Sequence, residues 1–261
     1  MRRATEPSPE LPAPSRALEG KTVLVTGGAR RIGATIARVL HAASANVLLH
    51  YHRSAEDAAR LAAELNAVRA GSASLAECDL LDITRHAALI ARCLEVFGGL
   101  DILVNNASTF YPTPVGEITE PEWDDLIGTN LKVPLFLSQA AAPALHGRGG
   151  LIINLADIHG LRALRRYPVY SLAKAGVIML TRSLARELGP HVRVNAVAPG
   201  PVMWPEHGLD PALQARITQR TALKRAGSAV DVARACLYFA SEAQYVTGQI
   251  LAVDGGRSIG W

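Results

Sequence analysis

The sequence predicts a single α/β domain with a doubly wound parallel sheet of about seven strands and helices on both faces. Short apolar segments rich in Val, Ile and Leu alternate with segments whose apolar residues recur at helical spacing. Such continuous apolar strands are typical of a parallel sheet covered on both faces. A glycine-rich turn at residues 26–33 joins the first strand to the first helix. Because no change in composition divides residues 20–261, we predict one domain there.

The predicted strands and helices alternate along the chain. The apolar segments that we expect to be strands are 22–25, 46–51, 74–78, 101–104, 151–155, 192–197 and 250–253. The segments whose apolar spacing favours helices are 32–40, 54–67, 85–97, 120–144, 170–188 and 230–240. Gly128 and Pro134 predict breaks in the longest of these, and Ser54 ahead of Asp57 predicts a helix cap. For residues 202–228 we predict an irregular segment with short helices.

The N-terminal segment predicts no packed structure. Residues 1–19 contain four prolines and few side chains that could pack, so we expect a disordered extension. Arg2 and Arg3 are followed by Glu6 and Glu10 rather than by an apolar segment, which argues against a targeting peptide. We therefore expect a cytoplasmic protein.

The composition excludes several classes of function. No apolar stretch has the length of a membrane span, so we expect no membrane partner. The net charge is +4 but aromatic residues make up only 5%, without the basic stripe that nucleic-acid binding requires. Cys78, Cys93 and Cys236 lie far apart without metal-ligand spacing. They predict reduced, mostly buried thiols and no metal site.

Polar and unusual residues follow the predicted strands where each strand ends. They are Thr26, Tyr51, Asp79, Asn105, Asp157 and Pro199. Ligands bind at the carboxyl ends of parallel strands, so we expect the functional site at this edge. At the first of these ends, Gly27 and Gly28 allow a tight turn, and the first amides of the next helix then face a phosphate. Arg31 stands where the usual pattern of such a turn has a glycine.

The end of the second strand indicates the type of dinucleotide. A cofactor without the 2′-phosphate requires an acidic residue about 20 residues past the glycines. The sequence has His52, Arg53 and Ser54 there instead. A basic, hydroxyl-bearing end suits a 2′-phosphate, so NADPH is favoured over NADH. The Ser54 hydroxyl is expected to cap the next helix, to bind this phosphate, or to do both.

Tyr170 and Lys174 are candidates for proton transfer. Their spacing of four residues places a phenol and an ammonium on one face of a helix. A neighbouring lysine favours the phenolate, so we predict a lowered phenol pKa that makes Tyr170 a proton donor near neutral pH. Alone, such a pair is more often a surface neighbour than a site.

The order of the motifs resembles a known family. The motifs are residues 26–33, residues 105–107, Asn130, Tyr170 with Lys174, and residues 199–200. In this order and spacing, the chain from Lys21 to the C-terminus resembles the short-chain dehydrogenase/reductase family. The resemblance implies a Rossmann-type domain, hydride transfer from a nicotinamide and a homotetramer.

The resemblance also implies roles for individual residues. It implies that Asp79 and Leu80 meet the adenine, that Asn106 and Ala107 line the adenosine ribose, and that Val202 meets the carboxamide. Lys174 would hold the nicotinamide ribose, and Asn130 would support a water connected to Lys174. The implied cofactor contacts are Gly27, Arg30, Arg31, Ile32, Gly33, His52, Arg53, Ser54, Asp79, Leu80, Asn106, Ala107, Ser108, Tyr170, Lys174, Pro199, Gly200 and Val202.

Departures from the common family pattern point to one branch. Asp157 occupies the position of the usual active-site serine, thirteen residues before the tyrosine. An ionised carboxylate would repel a developing alkoxide, whereas a protonated one, or one that faces a basic nitrogen, could donate a proton or bind an N–H, which favours a nitrogen heterocycle. Together with Arg31 and with residues 50–54 and 105–114, this resembles the pteridine reductases, and residues 199–206 are similar to the bacterial members.

That resemblance implies reduction of C=N bonds in dihydropterins, and in dihydrofolate as a further substrate. The pterin would lie between the nicotinamide and Phe110, and Arg31 and Ser108 would contact both cofactor and substrate. Asp157 and Tyr170 would manage the proton, with Lys174 and Asn130 as the other catalytic residues. Trp204 would line the pocket within the substrate segment at about residues 200–228.

Other interpretations remain open. The enzyme alternative is a general short-chain carbonyl reductase acting on 3-oxoacyl thioesters; the other class is a cofactor-sensing binding protein on the same fold. Phe110 is otherwise a loop anchor, Asp157 a helix cap and Arg31 a solvated residue. Trp204 and His159 either line the pocket or pack locally. Arg162, Arg165 and Arg166 either form a solvated face or attract a folate's glutamate tail, and the role of residues 257–261 is left open.

Overall fold

The computed structural model describes residues 10–204 and 208–260, which form one seven-stranded parallel sheet. The strands lie in the order β3-β2-β1-β4-β5-β6-β7. Their bounds are β1 Thr22–Val25, β2 Asn46–Tyr51, β3 Ala73–Glu77, β4 Ile102–Asn105, β5 Leu151–Leu155, β6 Arg193–Pro199 and β7 Ile250–Val253. The order reverses between β1 and β4, and a crevice at such a point is where ligands bind in doubly wound sheets. The predicted fold class is confirmed.

Helices cover both faces of the sheet. The α-helices of the described residues are α1 Arg31–Ala42, α2 Ala55–Val68, α3 His86–Phe97, α4 Glu120–Ile127, α5 Val133–His146, α6 Pro168–Leu188, α7 Pro211–Gln219 and α8 Ala229–Ser241. The apolar side chains of α1, α2 and α8 pack on one face, and those of α3, α5 and α6 pack on the other. This three-layer arrangement is the one that continuous apolar strands require.

The alternation of side chains along β1 divides the core into two layers. Val23 and Val25 pack into the layer under α1 and α8, whereas Leu24 points to the layer under α3 and α5. All three side chains are fully buried. The cysteines Cys78, Cys93 and Cys236 are buried as well, and burial raises the pKa of the Cys93 and Cys236 thiols to about 12.

The long predicted helix at 120–144 is interrupted as expected at Gly128. A turn of π-helix, Gly128–Lys132, separates α4 from α5. Pro134 does not break the helix, because it lies in the first turn of α5, where a proline lacks no hydrogen bond. In its described residues, the irregular segment after β6 contains one helix, α7.

Part of the N-terminal segment is packed rather than disordered. The backbone amides of Ser15 and Leu18 donate to the carbonyl groups of Ala42 and Ala43 at the end of α1. The Leu18 side chain is buried in the main core. This corrects the predicted boundary at Gly20, because one apolar side chain and two backbone hydrogen bonds anchor the segment; residues 1–9 lie outside the described part.

The described helices are each too short or too polar to cross a membrane. Within residues 10–204 and 208–260, no group of His, Cys, Asp and Glu side chains has the arrangement of a metal site.

Candidate active site

The glycine-rich turn after β1 is held by polar contacts from the neighbouring strand. The Thr26 hydroxyl accepts from the backbone amides of Asn106 and Ala107 at 2.9 and 3.0 Å. The Asn106 side-chain amide donates to the carbonyl groups of Thr26 and Gly27 at 2.8 and 3.1 Å. A side chain at Gly33 would collide with the carbonyl oxygen of Gly27. The turn is therefore a rigid cradle with room for a phosphate and none for a Cβ, which fits a dinucleotide.

Arg31 adopts a backbone conformation that favours glycine. Its φ is +53°, in the left-handed region. This explains why a glycine is usual at this position. The exposed side chain crosses to the segment after β6, where its guanidinium donates to the carbonyl oxygen of Trp204 at 2.8 Å. Arg31 thus joins the glycine-rich turn at residues 26–33, called the phosphate turn below, to the predicted substrate segment. Residues 205–207 of that segment lie outside the described part.

The predicted adenosine side of the turn is rich in arginine. Arg30 lies 3.5 Å from the Asp57 carboxylate, which also pairs with Arg60. A cleft of about 380 Å³ beside the turn is lined by Arg30, Arg31 and Arg60 together with Asp57. The nearest acidic side chain is therefore neutralised by two arginines, and the surroundings of the cleft are positive.

Residues 52–54 follow β2 at the same edge. His52 and Arg53 are exposed, and Ser54 is half-buried. Ser54 precedes α2, but its hydroxyl makes no capping hydrogen bond. This corrects the helix-cap prediction: the residue has a φ of −99° and ψ of 52°, which is not the extended conformation that a capping serine adopts. Binding of a phosphate by the Ser54 hydroxyl stays a prediction.

The nicotinamide end of the predicted site lies after β6. Pro199 ends the strand, and Gly200 donates its amide to the Val253 carbonyl at 3.0 Å. A side chain at Gly200 would come within 2.6 Å of the Asp254 Cβ, so close packing requires the glycine. Val202 is buried directly beyond it.

Asp157 and Tyr170 form the centre of the predicted catalytic cluster. The Tyr170 hydroxyl, in the first turn of α6, donates to Asp157 Oδ2 at 2.9 Å. The other carboxylate oxygen, Oδ1, accepts from the backbone amide of His159 at 2.7 Å. Asp157 therefore caps the short helical turn after β5 and also contacts Tyr170. The helix-cap interpretation is thus confirmed for one oxygen, and the catalytic role of the other stays a prediction.

The pKa of Tyr170 moves in the direction opposite to the prediction. Burial, the negative charge of Asp157 and the hydrogen bond to it raise the pKa well above the ordinary value. Lys174 does not offset this, because its ammonium lies 5.6 Å from the Tyr170 ring centroid and donates to the Leu155 carbonyl at 2.8 Å. Burial lowers the pKa of Lys174 to about 8. The tyrosine is therefore held in its protonated form.

Asn130 and Ser108 join the π-helical turn to the loop after β4. The Ser108 hydroxyl donates to Asn130 Oδ1 at 2.6 Å. The Asn130 Nδ2 donates to the carbonyl groups of Thr109 and Leu126, each at 2.9 Å. Asn130 is buried and fixes this loop beside the cluster. Its connection to Lys174 through a water stays a prediction.

Three aromatic rings lie together beside Asp157. The Phe110 ring stacks on Tyr167 with 4.6 Å between centroids and 13° between planes. It meets Tyr170 edge-on at 4.7 Å and 76°. The sequence did not single out Tyr167, which directly precedes α6 and lies three residues before Tyr170. Phe110 remains about half exposed and is available to a flat ligand.

Arg162 is exposed, as a solvated face predicts, and also anchors another segment. Its guanidinium donates to the carbonyl groups of Ser258 and Gly260, so it anchors the C-terminal segment to the loop after β5. Only Arg165 and Arg166 of the predicted basic group are exposed without such a contact in the described residues. His159 is half-buried, with Nδ1 at 3.2 Å from the Arg162 carbonyl oxygen.

Comparisons with known proteins agree with this arrangement. A family profile described as Enoyl-(Acyl carrier protein) reductase matches residues 27–258. Pteridine reductase 1 of Leishmania tarentolae is 37% identical over 277 residues, covering 90% of this chain and 96% of the relative. The 3-oxoacyl-[acyl-carrier-protein] reductase FabG of Staphylococcus aureus is 38% identical over 240 residues, covering 90% and 97%. The 3beta-hydroxysteroid dehydrogenase 1 of Eggerthella lenta is 36% identical over 249 residues, covering 93% and 95%.

These relatives have different named activities and nearly the same identity to this chain. Overall similarity therefore does not choose the substrate, and the choice rests on individual side chains of the site.

Proposed function

This chain belongs to the short-chain dehydrogenase/reductase family, and we propose that within it the protein is an NADPH-dependent pteridine reductase. Membership makes it an oxidoreductase that uses a nicotinamide dinucleotide. The proposal adds the substrate, a 7,8-dihydropterin or dihydrofolate, which is reduced to the tetrahydro form at a ring C=N bond. A further part of the proposal is that the protein works as a cytoplasmic homotetramer.

The observation that carries the substrate proposal is the hydrogen bond between Asp157 and Tyr170. In ketone reduction the oxygen of the substrate gains negative charge, and a carboxylate at hydrogen-bond distance from the proton donor would oppose that charge. A ring nitrogen instead gains a proton and becomes an N–H donor, which a carboxylate accepts. The Asp157 carboxylate therefore favours a nitrogen heterocycle over a ketone.

The chain's own residues would handle the proton. When bound, the dinucleotide supplies the hydride. Tyr170 keeps its proton at neutral pH because burial and Asp157 raise its pKa. Asp157 Oδ2 holds the phenol in place and accepts a hydrogen bond from the substrate once the phenol proton has moved to the ring nitrogen. Lys174, whose pKa burial lowers to about 8, remains positively charged at neutral pH, 5.6 Å from the Tyr170 ring centroid.

NADPH is the proposed cofactor because the adenosine side is positive. The 2′-phosphate would meet Arg53 and the Ser54 hydroxyl, which makes no capping hydrogen bond, near the cleft lined by Arg30 and Arg60. Asp57, which would repel this phosphate if it were alone, is paired with both Arg30 and Arg60. Charge-assisted contacts of this kind favour the phosphorylated form.

The substrate would stack on the Phe110 ring, on the face that Tyr167 covers in this structure. Flat aromatic rings stack on such a side chain, and Arg31 and Ser108 lie on the two segments that would bound the ring. Trp204 would line this region, and the hydrogen bond from Arg31 to its carbonyl group supports that part of the proposal. Asn130 keeps Ser108 in position.

A panel of substrates tests the proposal. Oxidation of NADPH is followed by absorbance with dihydrobiopterin, dihydrofolate, a 3-oxoacyl thioester and a simple ketone. We expect turnover with at least one dihydropterin and weaker turnover with NADH in place of NADPH. Turnover of the ketone or the thioester without turnover of any pterin would contradict the proposed substrate.

The second candidate is a 3-oxoacyl thioester reductase. It is favoured by the identity of 38% to the FabG of Staphylococcus aureus. Asp157 argues against it for the electrostatic reason given above. The thioester arm of the panel distinguishes the two, because the second candidate requires turnover of that compound with no need for Phe110.

A further inference from the structure

His50 is a buried histidine with a defined partner on each ring nitrogen. It lies in β2 and is only 2% exposed. The backbone amide of Gly27 lies 3.1 Å from His50 Nδ1, and the carbonyl oxygen of Cys78 lies 2.9 Å from Nε2. An amide only donates and a carbonyl only accepts, so Nδ1 carries the lone pair and Nε2 carries the hydrogen. The contacts thus select one neutral tautomer.

The two partners belong to different parts of the cofactor site. Gly27 is in the phosphate turn after β1, whereas Cys78 immediately precedes Asp79 and Leu80, the residues proposed for the adenine. The backbone of His50 adds a third link, because its carbonyl group accepts from the Gly28 amide at 2.9 Å. One imidazole therefore sets the separation between the phosphate turn and residues 78–80, which we call the adenine-side segment.

A second buried histidine holds the same adenine-side segment from α3. His86 Nε2 lies 2.9 Å from the carbonyl oxygen of Leu80. Its Nδ1 is buried with no hydrogen-bond partner among the described residues. The carbonyl groups on both sides of Asp79 are thus fixed by histidine rings.

The surroundings of His50 keep it neutral. Burial is the largest cause and lowers its pKa to about 4, and the nearby His52 and His86 act in the same direction. The Cys78 carbonyl and the Glu77 carboxylate act in the opposite direction with smaller effect. A protonated ring would present a second N–H to the Gly27 amide, which also donates, and would break that contact.

We propose that His50 is a positioning residue for the dinucleotide, which in its neutral Nε2–H form fixes the phosphate turn relative to the adenine-side segment. The inference rests on the family's use of a nicotinamide dinucleotide and is independent of the pterin. The ring touches neither substrate nor reacting atoms, so its effect is on cofactor affinity rather than on the chemical step.

The first test is the affinity for NADP⁺, measured by calorimetry at pH 7.5. We expect His50→Leu to weaken binding about tenfold, the scale of one buried hydrogen bond. His50→Asn should recover most of this loss, since the asparagine Oδ1 takes the place of Nδ1 as acceptor for Gly27. His50→Gln, whose amide can reach Cys78 without offering an acceptor at the Nδ1 position, should recover less.

The matched control is His41, a buried histidine at the end of α1. Its Nε2 lies 2.7 Å from the Ser72 hydroxyl, away from the phosphate turn. His41→Leu should lower the melting temperature and leave the NADP⁺ affinity within about twofold. Equal losses of affinity in His41→Leu and His50→Leu would show a general effect on folding and would overturn the proposal.

A kinetic measurement separates positioning from catalysis. With any substrate that the enzyme reduces, His50→Asn and His50→Leu should raise the KM for NADPH and change kcat by less than about twofold. An affinity for NADP⁺ unchanged in both variants, or a loss confined to kcat, would overturn the proposal. If His50→Leu does not fold, the proposal is still tested by the other two variants. It requires the NADP⁺ affinity to decrease in the order parent, His50→Asn, His50→Gln.

Discussion

Phe110 gives the sharpest test of how the substrate is held. Its ring is about half exposed, stacks on Tyr167 at 4.6 Å and meets Tyr170 edge-on at 4.7 Å. A stacked aromatic pair contributes about 0.5–1.5 kcal/mol beyond the area that it buries. Phe110→Ala should therefore weaken pterin binding by roughly tenfold, with apolar area adding to the lost stacking.

Tyr167 sharpens this prediction because its ring already covers one face of Phe110. A pterin that stacks on this face has to displace the Tyr167 ring, at a cost of about 1 kcal/mol. Tyr167→Ala would remove that cost and tighten pterin binding about fivefold. The two substitutions in this aromatic pair are therefore expected to change the pterin affinity in opposite directions.

The assay is the KM for the dihydropterin at saturating NADPH, together with the affinity for NADP⁺ alone. Phe110→Leu serves as the control, since it keeps apolar volume and loses only the ring. We expect the NADP⁺ affinity of all three variants to stay within about twofold of the parent. Equal losses of pterin and dinucleotide binding in Phe110→Ala would refute the stacking role, and weaker pterin binding in Tyr167→Ala would refute its displacement.

Three further predictions follow from the site. Arg31→Gly should weaken pterin binding without lowering the melting temperature, because it relieves about 1 kcal/mol of strain from the left-handed backbone conformation. Arg31→Ala keeps this strain and should lower both the pterin affinity and the melting temperature. Asp157→Ser should gain ketone reduction, measured as NADPH oxidation, and unchanged substrate preference would show that the aspartate does not select the substrate. His50 has a pKa of about 4 in the folded chain, below the ordinary 6.5, so the unfolded state binds its proton first as the pH falls. The free energy of unfolding should drop by up to about 3 kcal/mol between pH 6.5 and pH 4, and His50→Leu should lack this part of the drop in denaturant titrations.

Elements with strong local patterns were predictable from the sequence. All seven strands lie within two residues of their predicted bounds, because each is a short apolar segment closed by a turn. The strand-end rule also placed Thr26, Asn105 and Asp157 at one edge of the sheet. These features depend on neighbouring residues in the chain, and the sequence shows those directly.

Contacts between distant segments were not predictable in the same way. The stack of Phe110 on Tyr167 joins positions 57 residues apart, and Arg162 binds carbonyl groups near residue 260. The missing cap at Ser54 depends on a φ and ψ pair that the tertiary structure imposes. Residue types give no direct information about such distances or torsions.

The pKa of Tyr170 shows how one distance reverses a conclusion from spacing. Four residues on a helix suggest that Lys174 governs the phenol, but its ammonium lies 5.6 Å from the ring centroid and is bound to a carbonyl group. Asp157 lies at 2.9 Å from the hydroxyl and requires the phenol's hydrogen for its own hydrogen bond. Since electrostatic interaction falls with distance and the hydrogen bond exists only in the protonated form, the carboxylate has the larger effect. A tyrosine that retains its proton until a basic nitrogen arrives suits imine reduction better than a preformed phenolate would.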